Sequence, residues 1–428
     1  MPLKNGKYLK RIESEIENIS PLNIGGNDGE LLVDIEENSV YLHGTMLAGA
    51  IRSYLSSICV EDVEDMFGKS KESDDNSLSK IFIYDSCANL LGIEVRPGVC
   101  IDKFSGTSKN KAKFERKYIC EGHKFKLCIE IYGDNKEQAE RYGKNIYIAL
   151  SAINNDYIAL GSYKTGGAGI FKVNFVKEVN YDFTNKKDLF MYLKNSKEYV
   201  SVDIGKLPSE NLKSSVFVRY ELKGKIETPL LVKGNSSLDY TRPDDEQFRN
   251  EKGKCVIPRT SLKGIIRSQG ERILRFYGKK NDIEKIFGSE DGAEKKLPSR
   301  FTAYDSKIED VKKATYSKIK VDRFTGGVLK GQKMSEEPVM GKVRISGKLK
   351  LDKKCEKDEA VGLIALVFRD IARGELSIGS GQSTGRGRIK GQQLNIFSGN
   401  NLLFRWNMKD KKAEINKIDD YISALGEE

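Results

Sequence analysis

Apolar and polar residues alternate along Val216-Phe217-Val218-Arg219-Tyr220-Glu221-Leu222-Lys223-Gly224-Lys225-Ile226, the two-residue period of a half-buried strand. A similar run opens the chain around Tyr8-Leu9-Lys10-Arg11-Ile12. After each run comes a stretch rich in Gly, Asn and Asp, and the apolar period then becomes helical. Leu47, Ile51, Tyr54 and Leu55 follow Thr45, and Leu262, Ile265, Ile266 and Ile273 follow Thr260. The two threonines suit the N-cap, where a hydroxyl accepts a hydrogen bond from an otherwise unpaired amide of the first turn. Second helices are predicted over 138–153 and 358–373, and further strands over 81–84, 125–132, 301–304 and 342–351. The polar, charged stretches 69–75 and 289–296 read as mobile loops.

The residues repeat along with the pattern. Phe67-Gly68, Tyr84-Asp85-Ser86 and Ile101-Asp102-Lys103-Phe104-Ser105-Gly106 recur as Phe287-Gly288, Tyr304-Asp305-Ser306 and Val321-Asp322-Arg323-Phe324-Thr325-Gly326, each 220 residues further on. Solenoid units run ~20–50 residues, so this period marks a duplicated domain. With small shifts of register, Ser20-Pro21-Leu22 matches Thr228-Pro229-Leu230, and Gly44-Thr45-Met46-Leu47-Ala48-Gly49-Ala50-Ile51-Arg52-Ser53 matches Arg259-Thr260-Ser261-Leu262-Lys263-Gly264-Ile265-Ile266-Arg267-Ser268. Near the end of each copy, Gly161-Ser162-Tyr163-Lys164-Thr165-Gly166-Gly167-Ala168-Gly169 matches Gly379-Ser380-Gly381-Gln382-Ser383-Thr384-Gly385-Arg386-Gly387. The order strand, helix, strands, helix, strand predicts an α+β class, two tandem ferredoxin-like sandwiches each with a large insertion. Pro208, Ser209, Asn211, Ser214 and Ser215 mark a break, which sets expected domains at 1–205 and 206–428.

A chain of 428 residues suffices for two such domains, each with its own core. Lys and Arg number 73 against 62 Asp and Glu, a net charge of +11 that favours a polyanionic partner. The seven cysteines lack the CxxC pairs of a structural zinc site and read as reduced thiols of a cytoplasmic protein; Cys100, Cys120, His123 and Cys128 are the one group that a hairpin could bring onto a metal. No stretch approaches the ~18 apolar residues of a membrane span, and the start of the chain carries no apolar signal segment, so no membrane partner is expected.

Three features carry chemistry. The two glycine-rich stretches lack bulk over most of their length, so their amides can approach a phosphate; the plain alternative is a turn before an edge strand. Lys263 and Arg267 lie four apart at the start of a helix, one face that suits an anion or simply faces water. Phe324 beside Arg323, with Phe104 beside Lys103 as its counterpart, can stack on or wedge between bases, unless the ring packs into its own hairpin. The chain has two histidines, His43 and His123, both in the first copy, so a duplicated histidine acid–base mechanism is not available. No Walker or dinucleotide fingerprint occurs in context.

Thr260-Ser261-Leu262-Lys263-Gly264 followed by Arg267, the Asp-Arg-Phe-Thr-Gly-Gly run from Asp322, and Gly385-Arg386-Gly387-Arg388 resemble the RAMP superfamily of CRISPR systems, and within it the backbone subunits of type III effector complexes, here with two domains fused. The resemblance implies RRM-like domains, each with a protruding thumb hairpin, stacked along a guide CRISPR RNA beside other effector subunits. It places thumbs at 101–120 and 321–340, which flip a nucleotide out of the duplex of guide and single-stranded target RNA. It assigns RNA binding to Thr45, Arg52, Lys103, Phe104, Lys164, Ser261, Lys263, Arg267, Arg323, Phe324, Arg386 and Arg388.

The resemblance also implies a metal-dependent endoribonuclease. Active members carry an Asp in the loop between first strand and first helix, acting with Mg²⁺ or Mn²⁺. There the ribose 2′-OH attacks its own phosphate and leaves a cyclic phosphate and a 5′-OH. In the first loop the position falls on Asp28, with Asp34 in reserve; in the second it falls on Asp239, then Asp244 or Asp245. Asp28 and Asp239 are the expected metal ligands. A loop Asp otherwise serves as a turn or cap residue. The alternative function is the same scaffold binding RNA without cutting it.

Overall fold

A computed structural model of the chain describes residues 6–25, 30–68, 78–101, 108–206, 217–234, 242–279, 282–289, 297–352, 358–399, 401–410 and 412–426, with the side chains of 108–111 left aside. The chain forms two compact units. The first comprises Met1–Glu94, Lys117–Lys164 and Ala168–Ser214, and the second Val95–Arg116, Thr165–Gly167 and Ser215–Glu428.

In the first unit the alternating strand Tyr8–Asn18 places Ile12 and Ile16 in the core and lies between Lys124–Gly133 and Phe171–Asp182, antiparallel to both. Ile81–Ile83 pairs antiparallel with the far side of Lys124–Gly133. Numbered along the chain, these four strands lie in the order 4-1-3-2, the ferredoxin-like arrangement. The helices Gly44–Ser57 and Lys136–Asn154 cover one face: Leu47, Ile51 and Leu55 from the first and Tyr142, Ile146 and Ala149 from the second meet Ile12, Ile16, Phe125 and Ile129. Burying each such side chain contributes about 1.5–3 kcal/mol before entropy is counted. A smaller cluster of Leu9, Tyr132, Val179 and Tyr181 packs with Met191 and Tyr192 of the helix Lys186–Lys194.

The second unit repeats the plan. Phe217–Ile226 lies between Val339–Lys350 and Ile389–Ser398, and Phe301–Ala303 pairs with Val339–Lys350, again 4-1-3-2. The helices Arg259–Phe276 and Glu359–Ala372 bring Leu262, Ile266, Val361 and Phe368 onto Tyr220, Leu222 and Ile345. Buried Tyr220 donates its hydroxyl to the Val361 carbonyl at 3.0 Å, so its polar end is satisfied where its ring is dry. The sheet continues past Ile389–Ser398 through Asn401–Asn407 and Ile415–Asn416.

Between the second and third core strands of each repeat runs a long hairpin. In the first repeat its arms are Ile93–Ile101 and Ser108–Ile119; in the second they are Tyr316–Val321 and Val328–Glu337. The expected thumbs at 101–120 and 321–340 thus contain the tip and the return arm and omit the outgoing arm. The helices over 138–153 and 358–373 are found as Lys136–Asn154 and Glu359–Ala372, capped by Asn135 and Asp358 side chains. Loop residues 69–75 and most of 289–296 lie outside the described residues.

The threonine caps require correction. The N-cap residues of the opening helices are His43 and Pro258, neither of which caps with its side chain, and Thr45 and Thr260 sit inside the first turn. The orphan amide is instead taken by a distant carboxylate. Gly44 N donates to Asp85 Oδ1 at 2.7 Å, and Arg259 N donates to Asp305 Oδ1 at 2.8 Å. The repeated Tyr-Asp-Ser motif is the capping device, supplied from the residues after the second core strand.

Candidate RNA interface

Each opening helix starts from a carboxylate, and its first turns carry the expected helix contacts. Thr45 is exposed and Arg52 half-buried in the first repeat; Ser261, Lys263 and Arg267 are half-buried in the second. Lys263 donates from Nζ to the Thr165 carbonyl at 3.0 Å. Desolvation, with the Arg267 charge adding to it, pulls the Lys263 amine down to about 8.

The carboxylates themselves differ. Asp305 side-chain exposure is 12%, and its Oδ2 accepts from Arg96 at 2.6 Å and from Arg259 at 3.3 Å. Burial pushes its acidity toward neutral, and the charges of Arg96 and Arg259 outweigh burial and hold it below the ordinary carboxylate value. Asp85 is 63% exposed, with Oδ2 3.3 Å from His43 Nδ1; its bond from the Gly44 amide, then His43, also holds it low.

Several amides of the glycine-rich stretches are bonded within the protein. Ser162 N donates to the Asn23 carbonyl and Ser380 N to the Leu231 carbonyl, both at 2.7 Å. Gly169 N reaches Pro21 O at 3.0 Å and Gly387 N reaches Pro229 O at 3.1 Å, which ties each stretch to the repeated Pro-Leu segment. In the second copy the amides of Thr384, Gly385 and Arg386 are also spent within the turn. The glycines answer steric need. Gly169 and Gly387 have φ of 71° and 76°, and a Cβ there would meet the carbonyls of Leu160 and Ile378 at 1.8 and 1.9 Å. The strands that follow, Phe171–Asp182 and Ile389–Ser398, are flanked on both sides, so neither is an edge strand. Lys164 and Arg388 are exposed on these stretches. Arg386 turns inward, donating to buried Glu336 at 2.6 Å with its guanidinium 5.0 Å from the Tyr316 ring centre.

The second hairpin tip presents its aromatic to solvent. Asp322 Oδ1 accepts from the amides of Phe324 at 2.9 Å and Thr325 at 2.8 Å, and Gly326 closes the turn at a φ of 66°. These bonds explain the Asp-x-x-Thr-Gly spacing. With the backbone held so, Phe324 is 98% exposed and Arg323 is exposed beside it, which removes the alternative of a ring packed in its own hairpin. Lys103 and Phe104 of the first tip lie outside the described residues. Lower on that hairpin, the Phe114 ring covers Gly98, where a Cβ would come within 2.3 Å of it, and the Arg116 guanidinium stands 4.5 Å from the ring centre.

Of the candidate acids, Asp28 and Asp239 lie outside the described residues. Asp34 is a turn residue whose Oδ1 accepts from the Glu37 amide at 3.0 Å. Asp244 fastens its loop to the return arm of the second hairpin, its Oδ2 accepting from Ser335 N at 2.6 Å and Ser335 Oγ at 2.9 Å. Asp245 pairs with Lys233 Nζ at 2.6 Å, so Asp34, Asp244 and Asp245 are all engaged locally, and among the described residues no group of three or more His, Cys, Asp and Glu is placed to hold a metal. His123 is likewise structural. Its Nε2 accepts from the Leu91 amide at 2.9 Å, and its Nδ1 lies 3.0 Å from the Cys120 carbonyl; burial lowers its basicity, which suits the neutral ring. With both ring nitrogens engaged, it does not complete a site with Cys100, Cys120 and Cys128.

Asp85, Asp305 and Arg96 were absent from the sequence-based set of site residues. The first two were visible as the repeated Tyr-Asp-Ser motif, whose role needs the fold; Arg96 has no counterpart in the second copy and gave no signal. Among the described residues no helix is long and apolar enough to cross a membrane.

A model of the RAMP superfamily matches residues 15–172 and, again, residues 223–390. No curated protein matches the chain. The two matched regions fall on the two 4-1-3-2 sheets and together span most of the sequence. Proteins of this superfamily are CRISPR-associated RNA-binding subunits. The chain belongs to the RAMP superfamily and carries two of its ferredoxin-like domains in tandem.

Proposed function

We propose that the chain is a double-length backbone subunit of a type III CRISPR complex, holding guide RNA along both domains, 1–205 and 206–428, and opening the guide–target duplex with its hairpin tips. The observation that carries this reading is the Asp322-capped tip with Phe324 98% exposed. Desolvating an aromatic of that size against a base is favourable, and a rigid turn presents it without an ordering cost. The +11 charge supplies the attraction for the backbone. The test is the RNA that co-purifies when the chain is expressed with its neighbouring subunits. A bound RNA of uniform length is the expected result; protein that purifies without RNA would overturn the reading.

Target cleavage belongs to this proposal through Asp28 and Asp239. In that reaction a loop carboxylate takes the proton of the 2′-OH as its oxygen attacks the adjacent phosphorus. The bond to the 5′-oxygen breaks, that oxygen takes a proton from water, and a cyclic phosphate and a 5′-OH remain. Mg²⁺ or Mn²⁺ would be held by Asp28 and Asp239 and would stabilise the charge that develops on the phosphate. The engagement of Asp34 and Asp244 by local donors favours the second reading, a scaffold that binds without cutting. Asp28→Ala and Asp239→Ala decide between them. Loss of particular target fragments with RNA binding intact supports cleavage at those loops, and an unchanged fragment pattern supports the scaffold.

A further inference from the structure

The helix Lys186–Lys194 stands outside the duplicated plan. It follows the last core strand of the first unit, beyond the matched residues 15–172, and packs on the sheet face opposite the two core helices. Among the described residues the second unit has no counterpart. Past its last core strand the sheet goes on through Asn401–Asn407 and Ile415–Asn416, and the short helix Asp419–Ser423 packs on Glu359–Ala372 instead. One side of the added helix is fastened. Met191 and Tyr192 meet the cluster of Leu9, Tyr132, Val179 and Tyr181, and the Arg11 guanidinium lies 5.3 Å from the Tyr192 ring centre. Asp188 Oδ2 accepts from the Asp182 amide at 3.0 Å and from Lys197 Nζ at 2.8 Å. The Asn185 side chain accepts from Lys187 N at 2.9 Å, and Asn195 ends the helix in the left-handed region, so both ends are capped.

The other side is not the polar face that a surface helix normally shows. Leu189, Phe190 and Leu193 are 39, 61 and 69% exposed, and their spacing of three and four residues gathers them into one stripe. Lys186 is exposed at the start of the stripe, and Lys187 and Lys194, seven residues apart, are exposed along one flank. Asp188, the helix's one acid, is turned to the fastened side, so the exposed side is apolar and basic. A helix apolar on both sides is built to be covered on both. A second copy of this chain would set lysines against lysines. An RNA strand would meet the lysines and leave two leucines in water. A bilayer suits the chemistry, but two leucines and a phenylalanine bring less apolar surface than one acyl chain, which alone holds a protein on a membrane only marginally.

We propose that the helix Lys186–Lys194 docks an acidic amphipathic helix of another protein, whose apolar side covers Leu189, Phe190 and Leu193 while carboxylates on one flank meet Lys187 and Lys194. The arrangement is that of a coiled-coil seam, where apolar positions supply the contact and flanking charges choose the partner. The surface lies apart from both hairpins, and the inference holds whether or not RNA is bound or cut.

The test uses the full chain in its complex. A photo-crosslinking residue at position 193 should capture a peptide of another protein, and mass spectrometry should find in it apolar residues three and four apart flanked by Asp or Glu. Phe190→Ser combined with Leu193→Ser should weaken that protein's binding roughly tenfold or more, with the chain's melting temperature near that of the wild type, since both side chains are mostly exposed already. Lys187→Glu combined with Lys194→Glu should also weaken it, and lysines in place of the partner's facing acids should restore it. A captured peptide without acids, a crosslink to RNA or to a second copy of this chain, no crosslink, or a double-serine complex that assembles as well as the wild type would each overturn the proposal. So would flotation of the chain with phosphatidylserine vesicles that the double-serine variant loses. RNA content, measured on the same samples, separates this failure from failure of the RNA-binding reading.

Discussion

Asp85 and Asp305 make the same bond to a helix amide, yet one stands in water and the other between two arginines. The difference shows that the motif supplies a cap, while burial of the cap depends on what the surrounding chain brings to it. Desolvating a carboxylate is costly, and Asp305 tolerates it because Arg96 and Arg259 return the energy as charge-assisted hydrogen bonds. Removing it strands two arginines in a dry site. Asp305→Ala should therefore destabilise the second unit by about 3–5 kcal/mol in guanidinium denaturation. Asp85→Ala should shift its transition far less, since water replaces what is lost. Equal losses would end the distinction. The pH dependence has a definite sign: Asp305 is held below its ordinary value, so its contribution is complete above about pH 4 and drains away as pH falls through the lower folded value. That acid-side loss should be missing in Asp305→Ala.

The two hairpins invite the same treatment. Phe114 on the first is turned onto Gly98 of the facing arm, a contact that steadies the hairpin, whereas Phe324 on the second is held out by a turn built around Asp322. One aromatic packs on the protein and the other is held out in solvent. Phe324→Ala should leave the melting temperature unchanged and lower affinity for guide-bound target by roughly 1–3 kcal/mol, about five- to 150-fold, in a gel-shift titration. A stability loss with unchanged RNA affinity would place Phe324 with Phe114 as a structural ring.

How much of this was readable from the chain follows from the range of the forces involved. Alternation in 216–226 and the helical spacing of Leu262, Ile266 and Ile273 report which side of an element meets the core, and strand order then follows from duplication and from short-range rules. The turn at Asp322 is local too, and its Asp, Thr and Gly were legible. Caps were not. A threonine at a helix start is the expected local solution, but the observed solution at Gly44 comes from 41 residues away, at Asp85, and nothing in local pattern encodes that distance. The glycine-rich stretches are hard to read for a related reason. A run of small residues reads alike whether its amides await a phosphate or already bind Pro21, Asn23, Pro229 and Leu231.

Lys263 extends the comparison to a single position, since the first repeat has Ala48 there. Its amine is half-buried, bonded to the Thr165 carbonyl, and pulled down to about 8 by desolvation and by Arg267. A lysine whose folded value lies below its ordinary one gives up its proton earlier when folded. Between about pH 8 and 10.5 the unfolded chain then binds more protons, so stability climbs with pH across that window. Solvent access and the Thr165 bond, which favours the charged form, limit the climb to about 1 kcal/mol. Lys263→Met should flatten it. If the same amine holds a guide phosphate, raising the pH from 7 to 9 should reduce the slope of log affinity against log salt by about 0.7–0.9 in the wild type and leave it unchanged in Lys263→Met. A wild-type slope that does not move with pH would leave Lys263 as a helix residue bonded to Thr165, with no more part in RNA binding than Ala48.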